Sequence, residues 1–268
     1  MRVVTWNIRA AIGPGPFPDR WWSRIDADRL RAIGVFLAST GADIIALQEV
    51  ALLSRDGVLV DNAGDLARHL EMDVRFAAVR TFSVTDGDVV TGAGCFGNAL
   101  LSHMPIRAAR TVALPAAAID TFIEPHGADH PTAGTRYADA PTSIREPRSL
   151  LLAEVEGLTV GSTHFSHIGA NERLLQARAT VAAFGATTAA LLLGDLNAPV
   201  EAPELAPLAG WGDAFEASAG DTSRISTDDG LRIDHVLARG ASVHGCRVLR
   251  HSGDLSDHYP LVAEMQVG

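Results

Sequence analysis

Short apolar runs in this chain repeatedly meet polar residues of the kinds that bind cations or move protons. Thr5-Trp6-Asn7-Ile8, Leu47-Gln48-Glu49-Val50, Gly194-Asp195-Leu196-Asn197 and Arg232-Ile233-Asp234-His235 are four such junctions. The fifth is Ser256-Asp257-His258-Tyr259-Pro260-Leu261, just before the alternating stretch Leu261 to Met265. A run of four to eight apolar residues reads as a buried strand. Where such a strand emerges it presents a side chain to a shared pocket. The fold must therefore bring five strand ends together. Asn, Glu, Asp and His in that setting describe a divalent-cation site for phosphate chemistry.

The bulk numbers narrow the setting. A chain of 268 residues, 47% apolar, is expected to form one α/β domain over 1–268 with an ample core. The formal charge of −10 comes with scattered Arg residues and no basic cluster, which argues against tight DNA binding. It does not exclude a phosphate-ester substrate, because bound cations supply local positive charge. Cys95 and Cys246 have no CxxC spacing and are expected to be free, buried thiols. Met1-Arg2-Val3-Val4 runs straight into the first apolar stretch without a signal-peptide pattern. No apolar run reaches the ~18–20 residues needed to span a bilayer. The expectation is a cytoplasmic protein without a transmembrane segment.

Along the chain, strands are expected at 2–7, 43–49, 74–79, 97–101, 106–112, 149–155, 158–164, 189–193, 233–238, 243–250 and 260–267. Helices are expected at 27–40, 63–70 and 171–184. The first helix should bury Leu30, Ile33, Val35, Phe36 and Leu37 and stop at Gly41. The last should turn Leu174, Leu175, Ala177, Val181 and Phe184 to the core. Strands 97–101 and 106–112 read as a pair around Ser102-His103-Met104-Pro105, and strands 149–155 and 158–164 as a hairpin. Residues 115–147 read as a long, Pro- and Gly-rich surface insertion. The alternation suggests two packed mixed sheets with helices on the outer faces.

Each chemical reading has a plainer competitor. Glu49 is a cation ligand or a strand-end acid facing water. One or two acids suffice for Mg²⁺, which prefers carboxylate oxygens and keeps several waters. Asn7 orients Glu49, ligates through its amide oxygen, or merely forms a turn. Asp195 and Asn197 would share one side of an extended chain and hold an attacking water; the alternative is an Asx turn. Asp257 and His258 need a turn before Pro260 to enter one pocket. Asp234 would orient His258 and support its imidazolium, or pair with Arg232 or Arg239. His164 contacts the substrate phosphate or is a satisfied core histidine, with His167 nearby as a second choice. Arg148 aims a bidentate fork at phosphate or pairs with Glu146 at the surface. Trp21 and Trp22 form an aromatic wall for the substrate or a packing anchor.

Taken in order, these motifs resemble the endonuclease/exonuclease/phosphatase superfamily, the DNase-I-like fold. Gly97-Asn98-Ala99-Leu100-Leu101-Ser102 and Ser162-Thr163-His164-Phe165 complete the set. The resemblance spans nearly the whole chain and implies a four-layer α-β-β-α sandwich of two mixed sheets. It implies metal-dependent phosphoric ester hydrolysis, usually with Mg²⁺, with Mn²⁺ as a substitute. By motif, Glu49 resembles the main metal ligand, with Asn7 and Asp257 beside it. Asp195 and Asn197 resemble the water-orienting and phosphate-contacting pair, His258 the catalytic histidine on Asp234, and His164 the phosphate-contacting histidine. Abasic-site endonucleases carry an acid two residues after the first-strand Asn, where this chain has Arg9. They also use a mid-chain Tyr, and here only Tyr137 and Tyr259 occur.

The leading expectation is a phosphohydrolase acting on a small or lipid-like phosphodiester or monoester. A nuclease of the same fold is the alternative, and a non-catalytic binding protein that kept the fold the third reading. Binding to duplex DNA should be weak, insensitive to sequence and shallow in its salt slope. A titration at several salt concentrations checks this. Submicromolar affinity at physiological salt, lost steeply on adding salt, would favour the nuclease.

Overall fold

Side-chain alternation along the first strand sets the layering. Val3 packs inward between two sheets, while Val4 and Trp6 pack outward under helices. The next strand repeats this with Ile44 and Ala46 inward and Ile45 and Leu47 outward. Strands buried on both faces read as continuous apolar runs, as these do. The computed structural model describes residues 1–16, 19–117, 122–123, 136–137, 146–216 and 224–267. Most of the expected insertion at 115–147 lies outside the described residues.

The elements are β1 (Arg2–Asn7), α1 (Ala27–Thr40), β2 (Ile44–Arg55), β3 (Val58–Asp61), α2 (Asn62–Leu70), β4 (Asp73–Asp86), β5 (Val89–Ser102) and β6 (Ile106–Leu114). Two short strands follow, β7 (Phe122–Ile123) and β8 (Arg136–Tyr137), paired with each other. Then come β9 (Arg148–Val155), β10 (Leu158–His164), α3 (Ala170–Phe184), β11 (Ala190–Asp195), β12 (Gly212–Asp213), β13 (Asp234–Arg239), β14 (Ala241–Val248) and β15 (Leu261–Val267). The first sheet runs β14-β15-β1-β2-β5-β4, with β3 on the far part of β2. The second runs β12-β13-β11-β10-β9-β6. Only β1/β2 and β10/β11 are parallel among the pairings described.

Three apolar clusters give four layers. One fills the space between the sheets, with Val3, Ile44 and Ala46 against Leu151, Val160, Leu191 and Val236. The second packs α1 and α2 on the outer face of the first sheet. The third packs α3 and the 3-10 turn Pro203–Leu208 on the outer face of the second. The fold is the expected α-β-β-α sandwich of two mixed sheets. Asp26 starts α1 by accepting the backbone N–H groups of Asp28 and Arg29 at 2.8 and 3.2 Å, and Gly41 ends it at φ +60°.

Several local expectations need correction. Strands 97–101 and 106–112 do not pair. β5 lies between β2 and β4, while β6 crosses to the other sheet and pairs with β9. In α1, Val35 is 58% exposed. In α3 the buried face is largely polar. Glu172, Arg173 and Gln176 are buried, while Leu175 is exposed. Gln176 accepts the Ser166 N–H at 2.8 Å, and Arg173 donates to Glu204 at 2.7 Å. Interior loops thus draw their hydrogen bonds from this helix. Cys246 is buried as expected, but Cys95 is only partly so; no disulfide joins them. No helix among the described residues is long and apolar enough to cross a membrane.

Gly97 sits where β5 is squeezed between its neighbours, opposite Val50 of β2 and Ala78 of β4. A Cβ there would lie 1.9 Å from the Ala77 carbonyl oxygen. Backbone cannot yield as a flexible side chain would, so Gly97→Ala should destabilise the protein by ~1–3 kcal/mol. Urea unfolding measures this. A midpoint equal to that of the wild type would show that the sheet relaxes without cost.

Candidate active site

Inward-facing rows of both sheets become polar at the same end of the sandwich. Along β1 the inward row is Val3, Thr5, Asn7; along β11 it is Leu191, Leu193, Asp195. On β10 it ends Val160, Ser162, His164, and on β13 it begins Asp234, Val236. Asp195 is the register partner of both His164 and Asp234. Period-2 alternation therefore delivers Asn7, His164, Asp195 and Asp234 to one place.

Glu49 arrives by a different route. Counted from Ile44 and Ala46, Gln48 faces inward and Glu49 would face the helices. Instead β2 continues to Arg55 and carries a bulge, so it does not end at Glu49 as expected. The register jumps from Leu47↔Ala99 to Val50↔Gly97, so Gln48 and Glu49 together oppose Asn98. Glu49 takes φ +54°. That conformation costs ~1–3 kcal/mol for a non-glycine residue. The bulge turns the carboxylate into the site and returns Val50 to the outer face.

Asn7 joins the two sheets. Its amide nitrogen donates to Glu49 Oε1 at 3.1 Å and Asp195 Oδ2 at 3.2 Å. The Arg9 N–H donates to its oxygen at 3.1 Å, which sets the orientation of the amide. Asn7 is thus in the orienting pose of the two read from sequence. Beneath it, Thr5 donates to Gln48 at 3.2 Å, and Gln48 to Ser162 across the sheets at 3.3 Å.

His258 Nδ1 lies 2.8 Å from Asp234 Oδ2, and its Nε2 points to Asp195 Oδ2 at 3.8 Å. Asp234 pairs with neither Arg232 nor Arg239; Arg232 instead pairs with Asp213 and Glu201. The histidine backbone is pinned on both sides. Trp6 Nε1 donates to the His258 carbonyl at 2.8 Å, and Ser256 Oγ caps the His258 N–H at 3.3 Å. Burial alone would lower the His258 pKa, but Asp234, with Asp195 and Asp257, holds the imidazolium well above the usual range. His164 behaves oppositely. Burial, Arg148 and the neighbouring histidines keep it neutral, with Nε2 3.4 Å from Asp195. Burial, then the Asp234 charge, pushes Asp195 up to about 7. Burial likewise raises Glu49, against the pull of the Asn7 amide.

Asp195 and Asn197 do form an Asx turn. The Asn197 N–H donates to Asp195 Oδ1 at 3.0 Å, and Asn197 sits at φ +51°. The chain is not extended there, so alternation is not what brings Asn197 in; the turn does. Its amide donates to Phe165 O at 3.0 Å, and the residue still lines the cavity. Asp257 reaches the site beside His258 and accepts Arg9 Nε at 3.1 Å. Arg9 is the residue whose importance the sequence concealed. It is buried, its Nη1 bonds Gly13 O at 2.7 Å, and Arg9, Ala10 and Ala11 form a left-handed turn with φ of +50°, +49° and +61°.

These groups open into a cavity of about 640 Å³. Arg148, with His167 at 3.1 Å and Glu146 at 3.4 Å, stands on one wall. The expected ion pair with Glu146 exists, but inside the pocket. Arg80 meets Glu146 at 2.9 Å. Trp21 packs on Phe82 and Phe96 at 5.0 and 5.1 Å, and Trp22 stacks on Phe82 at 5.5 Å. Anchor and wall are one arrangement, since all four rings line the cavity. Arg80, Phe82 and Phe96 were not singled out from sequence. Their meeting depends on the register of β4 against β5 beyond a shift at Ala78/Arg80, for which no local motif exists.

The donor set fits a hard divalent cation. Glu49 Oε2 is buried with no hydrogen-bond partner among the described residues, as is Asp234 Oδ1. Asp195, Asp234 and His258 also bring ligand atoms within 4.8 Å of one another. Buried carboxylate oxygens left without donors are what a cation satisfies.

A family model described as Endonuclease/Exonuclease/phosphatase family matches residues 4–258. Similar solved structures include an endonuclease/exonuclease/phosphatase from Beutenbergia cavernae DSM 12333, with TM-score 0.70 and 22% identity over 100% of this chain and 71% of that one. The human Nocturnin catalytic domain with bound sulfate anion has TM-score 0.67 and 18% identity, over 100% of this chain and 93% of that one. A Bacteroides thetaiotaomicron VPI-5482 mannosyl-6-phosphatase has TM-score 0.65 and 16% identity over 99% of both chains. At these identities the likeness is one of fold. A comparison with curated proteins finds no match. The family model spans nearly the whole chain, and its span holds every residue of the polar cluster: the chain belongs to the endonuclease/exonuclease/phosphatase family of phosphoester hydrolases.

Proposed function

We propose that the protein is a divalent-cation-dependent phosphohydrolase cleaving a small or lipid-like phosphodiester or phosphomonoester. One observation carries this reading. The uncommitted Glu49 carboxylate oxygen shares a cavity with the Asp234–His258 pair and with Arg148. Acidic groups for a cation thus face basic groups for an anion. The sulfate in the Nocturnin structure and the phosphatase activity named for the Bacteroides protein support a small phosphorylated substrate.

Glu49, oriented by the Asn7 amide, would hold the ion, Mg²⁺ or Mn²⁺, with Asp257 close by on Arg9. A bound ion of this kind neutralises phosphoryl oxygens and stabilises charge developing in displacement. The chain supplies the remaining functions. Asp195, poised near neutrality, accepts a proton from the attacking water, with Asn197 beside it in the turn. His258, held charged and oriented by Asp234, donates from Nε2 to a phosphoryl or leaving-group oxygen. Neutral His164, beside Asp195, and the Arg148 guanidinium contact the substrate phosphate in the same cavity. Trp21 and Trp22 flank the non-phosphate part of the substrate.

The direct experiment is a panel of nucleotides, sugar and inositol phosphates, phospholipids and plasmid DNA, assayed with Mg²⁺, with Mn²⁺ and with chelator. Activity is expected only with cation, and on small or lipid substrates before DNA. Glu49→Gln should lower the rate roughly 10²-fold or more, because an oxygen donor and its charge are both removed. Full activity in excess chelator would refute the cation requirement.

His258→Ala should lower kcat by ~10²–10⁴-fold, and Asp234→Asn by less. The double mutant should be little worse than His258→Ala, because the two act as a unit. Independent, additive losses would break the pairing.

A further inference from the structure

Charge matching among the buried groups constrains the number of ions. Four carboxylates meet at the end of the sandwich: Glu49, Asp195, Asp234 and Asp257. Asp234 is matched by His258 at 2.8 Å, and Asp257 by Arg9 at 3.1 Å. Arg9 is no surface partner, since its side chain is 8% exposed. Glu49 and Asp195 share the neutral Asn7 amide and have no Lys or Arg partner among the ion pairs described; His258, already matched to Asp234, lies 3.8 Å from Asp195. Buried charges without counter-charge are costly, and two carboxylates call for one divalent cation. Asp19 and Asp228 are exposed and screened by water, and Glu146 is matched by Arg80 and Arg148.

The chain is bent to put Arg9 where it is. Arg9, Ala10 and Ala11 are consecutive non-glycine residues in the left-handed region, and all three are buried. Such a turn persists only when its surroundings hold it. It folds Arg9 back so that its N–H fixes the Asn7 amide, its Nη1 bonds Gly13 O, and its Nε reaches Asp257.

We propose that Arg9 is a positioning residue that occupies Asp257 as a built-in cation, so that the site holds one divalent ion at Glu49, beside Asp195. This rests on the cation-dependent reading above and deepens it. Arg9 supplies one fixed positive charge to Asp257, which would otherwise be open to a second ion.

The test is Mn²⁺ binding to the full chain, followed by electron paramagnetic resonance without substrate. Wild type is expected to bind one ion, and Glu49→Gln to bind it at least tenfold more weakly. Arg9→Gln, which removes the fixed charge, should bind Mn²⁺ about tenfold more tightly or take up a second ion. Arg9→Lys should restore the wild-type count. Asp257→Asn, which leaves Arg9 without its counter-charge, should weaken binding. Two ions on the wild type, or an Arg9→Gln protein with unchanged count and affinity, would overturn the proposal and leave cation dependence standing. No Mn²⁺ bound by wild type, with Glu49→Gln indistinguishable, would overturn the cation reading and this inference together. Should Arg9→Gln fail to fold, the wild-type count and Asp257→Asn decide.

Discussion

The Asn7 side-chain amide holds together groups that would otherwise separate. Glu49 comes from one sheet and Asp195 from the other, and both are carboxylates in a buried setting. Bringing like charges together out of water is unfavourable unless donors satisfy them. One NH₂ group supplies a donor to each. The amide is aimed by a backbone N–H from the strained turn that follows it. The Thr5–Gln48–Ser162 chain below fastens the two inner faces at the same level. The closeness of the two carboxylates and the joining of the sheets at this level both depend on this crossing.

Around that crossing, the departures from regular backbone cluster. Glu49, Asn197 and the Arg9–Ala11 turn all have positive φ, and each brings a side chain or N–H to the site. Regular strands cannot do this for Glu49, because alternation gives it the wrong face. The two sheets and three apolar clusters supply the rigidity against which such strain is held.

Electrostatically the cavity is divided. Glu49 and Asp195 line it beside His164 and His258, and Arg80 and Arg148 line it with Glu146 between them. In a protein of net charge −10, these two guanidinium groups bring positive charge to the cavity. The aromatic group of Trp21, Trp22, Phe82 and Phe96 adds an apolar surface to the same cavity.

By itself the sequence determined a sheet-rich α/β fold, most of the strands and the identity of the polar residues at the strand ends. These follow from local rules. Alternation assigns Asn7, Asp195 and Asp234 to inward rows, Gly41 stops α1, and the ordered motifs carry the family resemblance. Tertiary structure alone decided how those residues meet. The bulge that turns Glu49 inward is set by β5 opposite it, and the Asx turn at Asn197 replaces the extended chain the spacing suggested. The polar buried face of α3 answers to loops far away in sequence. Strands β5 and β6, neighbours along the chain, belong to different sheets because each finds its partners elsewhere. Arg9 looked like a mere departure from a motif. Its partner Asp257 lies at the other end of the chain, and a contact over that separation leaves no periodic trace in the sequence.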